Sequence, residues 1–333
     1  MMRKEVSLGL DVGTSAVKYT AIDLSTGVVA AQRRVEYART DAAVGVVPMR
    51  MYTEALEHLL GELAREYIVR SVGLTTAWYS VITPTGDGEV AYQWNSLWDR
   101  NLDAERELQG FLDVSGCHVD ILFPVYKMMT AHVLRNQAFK PYGMKESLIE
   151  WLTGERATDY STASASGLLD IRKRDWNQPL LDKLGFRREQ MPRLLRHNVG
   201  AGRTNVGGES ILVVPGLGDG GSASYACKAV SEVAANIGTT MAACQRSATP
   251  PCALRFDGSN EIVVWPGDAT DMIDLNDRVV LVTGAGGAIG SATARTIARA
   301  GGRVLLHDRD DASVAAIAAE LGDRGTPLTA DLA

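Results

Sequence analysis

Between residues 5 and 35 apolar and polar positions alternate in three runs, Val6 to Leu10, Val17 to Leu24 and Val28 to Val35, separated by Gly-Thr-Ser and Ser-Thr-Gly turns. Period-two alternation bounded by turn residues predicts strands, and two successive hairpins predict a mixed sheet. The period then changes. Leu56, Leu59, Leu60 and Leu63 recur at helical spacing within residues 52–66, with Glu and Arg opposite, which predicts an amphipathic helix. Ile68 to Thr75 reads as a strand. Residues 100–200 read as mostly helical, with turns at Lys140-Pro141-Tyr142-Gly143 and Trp176-Asn177-Gln178-Pro179. Ile211 to Pro215 is a strand running into Gly216-Leu217-Gly218-Asp219-Gly220-Gly221. A small-residue helix from Ser222 to Lys228 follows, then a strand from Ala234 that ends in Gly238-Thr239-Thr240.

After Asp268 the pattern shifts again. An apolar strand (Val279 to Val282), a Gly-rich turn, an Ala-rich helix (Ser291 to Ala300), a strand (Arg303 to His307), a second Ala-rich helix (Ala312 to Leu321) and a strand start (Thr326 to Asp331) follow in order. This is the βαβαβ sequence of a doubly wound sheet.

Composition narrows the class. The 333 residues are 46% hydrophobic and 22% charged, enough for two or three domains with a sizeable core. A net charge of −6 without a basic run argues against nucleic acid as a partner. The densest cationic stretch, Arg187-Arg188 to Arg193 and Arg196, reads as a solvated helix face. Cys117, Cys227, Cys244 and Cys252 show neither a CxxC pair nor metal spacing, which fits a reducing, cytoplasmic setting. The short apolar run after Met1-Met2-Arg3-Lys4 is broken by Gly9 and Asp11, so it reads as a strand and not a signal peptide, and no run is long enough to span a bilayer.

Three turns carry candidate chemistry. Asp11 ends the first strand, where a carboxylate can organise Mg²⁺, and Gly13-Thr14-Ser15 offers backbone N–H and hydroxyl donors to phosphate oxygens, with Lys18 nearby. Asp219 lies in a second Gly-rich strand-to-helix turn, where a helix start favours anions. Gly238-Thr239-Thr240 is a third phosphate-sized turn. Phosphoryl transfer needs a metal, phosphate clamps and a carboxylate near the acceptor hydroxyl, and these three turns together can supply them. Any one alone is as readily an ordinary tight turn.

On these residues the chain, over about 5–265, resembles the FGGY carbohydrate kinases, relatives of glycerol, xylulose and gluconate kinases. The matching pieces are Gly9-Leu10-Asp11-Val12-Gly13-Thr14-Ser15 with Lys18, Leu152-Thr153-Gly154-Glu155, Thr158-Asp159-Tyr160-Ser161-Thr162-Ala163-Ser164 with Leu168-Leu169-Asp170-Ile171, Pro215-Gly216-Leu217-Gly218-Asp219-Gly220 and Asn236-Ile237-Gly238-Thr239-Thr240. The resemblance implies an α/β fold with an actin-like ATPase (ribonuclease H-like) lobe, ATP and Mg²⁺ as cofactors, and a sugar or polyol substrate. It implies that Asp11 organises Mg²⁺, that Thr14 and Ser15 face the γ-phosphate, that Asp219 takes the acceptor's proton, and that Gly238, Thr239 and Thr240 cradle the phosphates from the second lobe. The sugar pocket is expected from Thr75-Thr76-Ala77-Trp78-Tyr79-Ser80 and from Trp98-Asp99-Arg100, one residue short of the family's Trp-x-Asp-x-Arg. Trp78, Trp94 and Trp98 are candidates for a stacking surface, although core packing is the commoner fate of Trp. His118 and His132 read as structural.

Residues 272–333 resemble the amino-terminal part of short-chain dehydrogenases/reductases, whose motif is Thr-Gly-x-x-x-Gly-x-Gly. Thr283-Gly284 and Ala288-Ile289-Gly290 carry it, with Ala288 in place of the middle Gly. Asp308 can bond a ribose 2′-OH and favour NAD over NADP, with Arg309 weakening the preference. Asp331 matches the acidic position that contacts adenine. The catalytic Ser and Tyr-x-x-x-Lys of that family would lie beyond residue 333.

The expected domains are 1–227, a kinase amino-terminal lobe; 228–271, the truncated start of a second lobe; and 272–333, a truncated Rossmann βαβαβ half, with Met272 resembling that unit's own start. The expected function is ATP-dependent phosphorylation of a sugar or polyol hydroxyl, impaired by truncation. The alternatives are an NAD-dependent dehydrogenase fragment and a non-catalytic fusion remnant. No nucleic-acid or membrane partner is expected, and homo-oligomerisation stays open.

Overall fold

In the computed structural model the three opening runs are strands β1 (Lys4–Val12), β2 (Ala16–Asp23) and β3 (Val29–Glu36). The structure describes residues 3–37, 45–96, 98–117, 119–219, 222, 233–237, 241–245, 279–283, 285–299, 301–308 and 310–329. The expected helix beyond Ser222, the turn Gly238-Thr239-Thr240 and the junction at Met272 lie outside them. The described residues divide between two units, residues 1–222 with 248–265 and residues 223–247 with 266–333.

In the first unit β1 pairs antiparallel with β2, and β2 with β3. Alternation places Val6, Leu8, Leu10 and Val12 in the core. Strand β4 (Val46–Pro48) leads into helix α1 (Met49–Glu66), where the Leu stripe Leu56, Leu59, Leu60 and Leu63 is buried as its spacing predicts. Each such side chain contributes about 2 kcal/mol by leaving water. Strand β5 (Tyr67–Thr76) then returns parallel to β1. Strands β6 (Val81–Thr85) and β7 (Gly88–Tyr92) form a separate three-stranded sheet with β4.

The middle of the unit holds α2 (Leu102–Leu108), α3 (Pro124–Leu134), α4 (Met144–Thr153), β8 (Ala157–Asp159), α5 (Tyr160–Ala165), β9 (Leu169–Asp170), β10 (Asp175–Trp176), α6 (Gln178–Leu184) and β11 (Arg193–Leu195). Strands β12 (Gly202–Val206) and β13 (Glu209–Val214) complete the main sheet, in the order β12-β13-β5-β1-β2-β3. β13 runs parallel to β5, as β5 does to β1, so these three strands end side by side. The sheet is mixed, as the two opening hairpins predict.

One core joins the sheet to α1 and α4. A second gathers Phe123, Tyr126, Met129, Leu180 and Trp176 from the helical middle. Two local readings need correction. The arginines of the Arg187–Arg196 stretch are exposed but do not form a helix face: a single 3₁₀ turn (Arg188–Gln190) precedes β11, which pairs with β8. Pro192 lacks the N–H that a continuing helix needs. The Trp176–Pro179 segment is a helix start, where the Asn177 side chain accepts from the Leu180 N–H.

In the second unit β14 (Val233–Ile237) pairs with β15 (Met241–Gln245). Strands β16 (Val279–Thr283), β17 (Arg303–Asp308) and β18 (Gly325–Thr329) form a parallel sheet in chain order. Helices α7 (Ala288–Arg299) and α8 (Asp311–Leu321) connect them. Val282, Ala294, Ile297, Val304, Leu306, Val314 and Ile317 form its core. Among the described residues no helix is long and apolar enough to cross a membrane.

Candidate phosphoryl-transfer site

The site is built where β1, β5 and β13 end. The turn after β1 closes through the Gly13 N–H donating to the Ala16 carbonyl at 3.0 Å. Asp11 is half-buried, and Lys18, its cross-strand partner, meets its carboxylate at 3.1 Å. An ion pair this exposed adds little stability. Its use is to place a cation beside the carboxylate. Tyr37 donates its N–H to the Ser15 carbonyl at 3.2 Å, and burial pushes its phenol far above the ordinary range, so it stays protonated.

Two contacts at this turn were not legible in the sequence. The Trp94 indole N–H donates to the Thr14 hydroxyl at 3.2 Å, and an Arg34 N–H reaches the Ser15 hydroxyl at 3.4 Å. Arg34 lies opposite Lys18 across the β2–β3 pair, which only the register reveals.

Beyond β5, the Ala77 N–H donates to the Val12 carbonyl at 3.3 Å, which carries the strand pairing past Asp11. Asp11 itself lies opposite Thr75. The chain beyond β13 folds onto this same end. Gly216 has φ +60°, and a Cβ there would sit 2.6 Å from the Leu74 carbonyl oxygen. Gly218 lies so close to the Trp78 indole that a Cβ would stand 1.2 Å from Nε1. Only glycine allows that approach. Asp219 follows, half-buried at the start of a helical turn in which the Ser222 N–H donates to the Gly218 carbonyl at 2.8 Å. The Ser222 and Thr75 hydroxyls are 3.4 Å apart. Thr75 therefore touches the Asp219 turn on one side and pairs with Asp11 on the other.

Next to this end is a cleft lined by Thr76, Trp78, Tyr79, Met128, Tyr142 and Lys145, among others. Behind it Lys145 is fully buried and bonds Asp159 at 2.6 Å and Thr162 at 3.0 Å. Glu146, also buried, takes the Thr158 hydroxyl at 2.6 Å and the Gly143 N–H at 3.0 Å, and burial raises its pKa. The Thr158-Asp159 motif thus braces the cleft from within.

The expected substrate residues separate. Trp78 lines the cleft, whereas Trp98, Asp99 and Arg100 are not among its lining residues. Trp98, half-buried, packs edge-on against Tyr92 at the margin of the second core, and Arg100 forms a two-pronged pair with Glu105 at 2.6 and 2.9 Å, at the start of α2. His132 is exposed on α3, and His118 lies outside the described residues. Gly238, Thr239 and Thr240 also lie outside them.

Among the described residues no group of three or more His, Cys, Asp or Glu could hold a metal alone. Mg²⁺ carried on phosphates takes only one or two protein carboxylates and several waters. Asp11 offers such a carboxylate, one-third exposed.

In the second unit β16 runs into the 285–287 turn and α7, which contains Ala288, Ile289 and the buried Gly290. The Gly286 N–H donates to the Asp308 carboxylate at 2.9 Å, and a Cβ on Gly286 would stand 2.0 Å from the Ser313 hydroxyl. The acid at the end of β17 and the Gly-rich turn after β16 therefore meet, an arrangement a ribose and pyrophosphate can use. Thr283 ends β16, while Gly284 and Asp331 lie outside the described residues.

Comparison with known proteins follows the same division. Residues 91–225 match the FGGY family of carbohydrate kinases, N-terminal domain, and residues 278–333 match the short chain dehydrogenase family. A glycerol kinase of Vibrio parahaemolyticus is 25% identical over 254 residues, covering 66% of this chain and 48% of that protein. A glycerol kinase of Salmonella newport is 26% identical over 246 residues, with 66% and 49% covered. This chain thus spans about half the length of these curated relatives. Among solved structures, a ligand-bound xylulose kinase from Lactobacillus acidophilus superposes with a TM-score of 0.62 at 22% identity, covering 74% of this chain and 56% of that one. A gluconate kinase from the same organism gives 0.61 at 21%, covering 75% and 56%. These two share the fold.

Proposed function

We propose that this chain, whose residues 91–225 match the N-terminal domain of the FGGY family of carbohydrate kinases, is built to transfer the γ-phosphoryl group of ATP to a sugar or polyol hydroxyl. The observation that supports this most is Thr75. It pairs with Asp11 in register and touches Ser222 of the Asp219 turn, so the two carboxylates belong to one end of one sheet. In this reading the acceptor oxygen attacks the γ-phosphorus, its proton passes to Asp219, and the bond from the γ-phosphorus to the ADP oxygen breaks. Asp11 would hold Mg²⁺, which would neutralise charge on the phosphates. Thr14, Ser15 and Lys18 meet the phosphate oxygens. Trp78 offers an apolar ring face to the C–H side of a sugar. Which sugar or polyol it takes is part of the test.

The assay is ADP release with glycerol, xylulose and gluconate, run on the wild type and on Asp219→Asn. Acceptor-dependent release in the wild type that disappears in the variant supports the reading. Equal background in both removes it.

A second activity class is favoured for residues 279–329 by one observation, the Gly286–Asp308 bond. We read this segment as an NAD-binding element. Calorimetric titration with NAD, on the wild type and on Asp308→Ala, tests it: binding that the substitution does not weaken sinks the assignment.

A further inference from the structure

Lys127 has no place in the reaction outlined above, yet it is among the most buried side chains of the first unit, with 0% exposure. It sits on α3, next to Met128 of the cleft wall. Its ammonium donates to the Tyr79 carbonyl at 3.0 Å and to the Gln93 carbonyl at 2.9 Å. Burying an amine costs free energy unless its N–H groups are bonded, so these two acceptors explain how it is tolerated. They also tie together the two chain ends that leave the β6–β7 hairpin beyond its last pair, Val81–Tyr92.

Tyr79, in the left-handed region at φ 66°, follows Trp78, whose indole lies against Gly218 and hence the Asp219 turn. Gln93 precedes Trp94, whose indole N–H holds the Thr14 hydroxyl of the phosphate turn. The Gln93 carbonyl also accepts from the Ser96 N–H at 3.1 Å and its hydroxyl at 2.7 Å, which fixes the loop behind Trp94. One ammonium therefore stands between the two chains of contact that end at the two candidate catalytic turns.

We propose that Lys127 is a positioning residue whose ammonium clamps the Trp78–Tyr79 segment to the Gln93–Trp94 segment and so sets the spacing between the Asp219 turn and the Gly13–Ser15 turn. Its effect on turnover rests on the phosphoryl-transfer reading; the clamp itself does not.

The test uses the full chain carrying Lys127→Met, which keeps the volume but removes the N–H donors, and Lys127→Arg, which restores them. Two readouts are taken. Acrylamide quenching of tryptophan emission, with Trp78→Phe and Trp94→Phe backgrounds to assign the signal, is expected to rise for both indoles in Lys127→Met and to fall back in Lys127→Arg. Where the wild type turns over, kcat is expected to drop about 100-fold with KM little changed, because misplacing reacting groups by about 1 Å costs that much. Quenching and kcat equal to the wild type in a folded Lys127→Met overturn the proposal. A wild type with no acceptor-dependent ADP release defeats the kinase reading, and the quenching arm then decides the clamp alone. Should Lys127→Met not fold, Lys127→Gln, whose amide nitrogen stops one bond short of the lysine Nζ, is expected to free at least one of the two indoles, and protection of both contradicts the clamp.

Discussion

The two units use the turns at their strand ends in different ways. In the first, the segments after β1, β5 and β13, far apart in sequence, are brought to one sheet end, and two cores lock the strands and helices around them. In the second, one turn and one acid meet within a local βαβ unit, and the sheet is packed on the face that carries Val282, Val304 and Leu306. Val279, Leu281 and Leu328, on the opposite face, keep 53%, 52% and 44% of their surface exposed. A phosphate-sized turn is therefore cheap to encode locally. Bringing distant residues together requires long-range register, and here the register of β1, β5 and β13 brings the two proposed catalytic turns to one sheet end.

The sharpest break in this comparison is chemical. Asp219→Asn is expected to lower turnover by about 10²–10⁴-fold, the usual contribution of a positioned proton acceptor. Asp308→Asn should leave turnover as it was. ADP release measured side by side checks both, and a loss in the second variant would mean that the units are not separable in function.

Stability offers the next test. Lys145→Met leaves Asp159 as a buried, unpaired charge and is expected to cost about 4 kcal/mol, since breaking one side of a buried pair is expensive. Leu306→Ala, in the core of the second sheet, is expected to cost about 3 kcal/mol. Urea unfolding followed by hydrogen exchange should show the first loss only in residues of the first unit and the second only in β16 to β18. Loss spread over both units in either variant would show one cooperative body.

Lys127 gives a pH test of the first unit. Burial holds its pKa near 7 in the fold, against an ordinary value of 10.5. Between those values the unfolded chain binds a proton that the folded chain does not, so stability rises with pH across that window. The wild type should gain on Lys127→Met in urea midpoint between pH 7 and pH 10, and a constant difference would show that the amine keeps its proton. The smallest effect is expected at the bare face of the second sheet. Leu281→Ser should change stability by no more than about 0.5 kcal/mol, as is usual for exposed sites, yet lower light scattering on storage.

Much of this architecture is legible in the sequence. Strands β1 to β3 follow from alternation and α1 from its Leu stripe, because one face of each is buried and the other wet. The order of the Gly-rich turns announces the candidate chemistry. Partners across the sheet cannot be read this way. Arg34 reaches Ser15 only because β3 pairs with β2, and Ser222 meets Thr75 only because β13 runs beside β5. Lys127 is hidden for another reason. A lysine in a helix reads as a solvated position, but α3 is buried nearly all round, and the acceptors that make room for the ammonium lie 48 and 34 residues away. The Arg187–Arg196 segment misleads because charge density suggests a helix face, whereas Pro192 and the pairing of β11 with β8 decide the backbone. Trp98 and Arg100 sit beside a family-like motif yet go to the margin of the core and to Glu105, which local sequence does not foretell.

The central claim is that Asp11 and Asp219 share one sheet end. The most direct measurement is thiol cross-linking of an Asp11→Cys, Asp219→Cys double variant, with the four native cysteines replaced, by a short bifunctional reagent. Rapid intramolecular cross-linking in the folded chain, lost in urea, is the predicted result. Two fully reactive thiols that never join in the folded chain would contradict it.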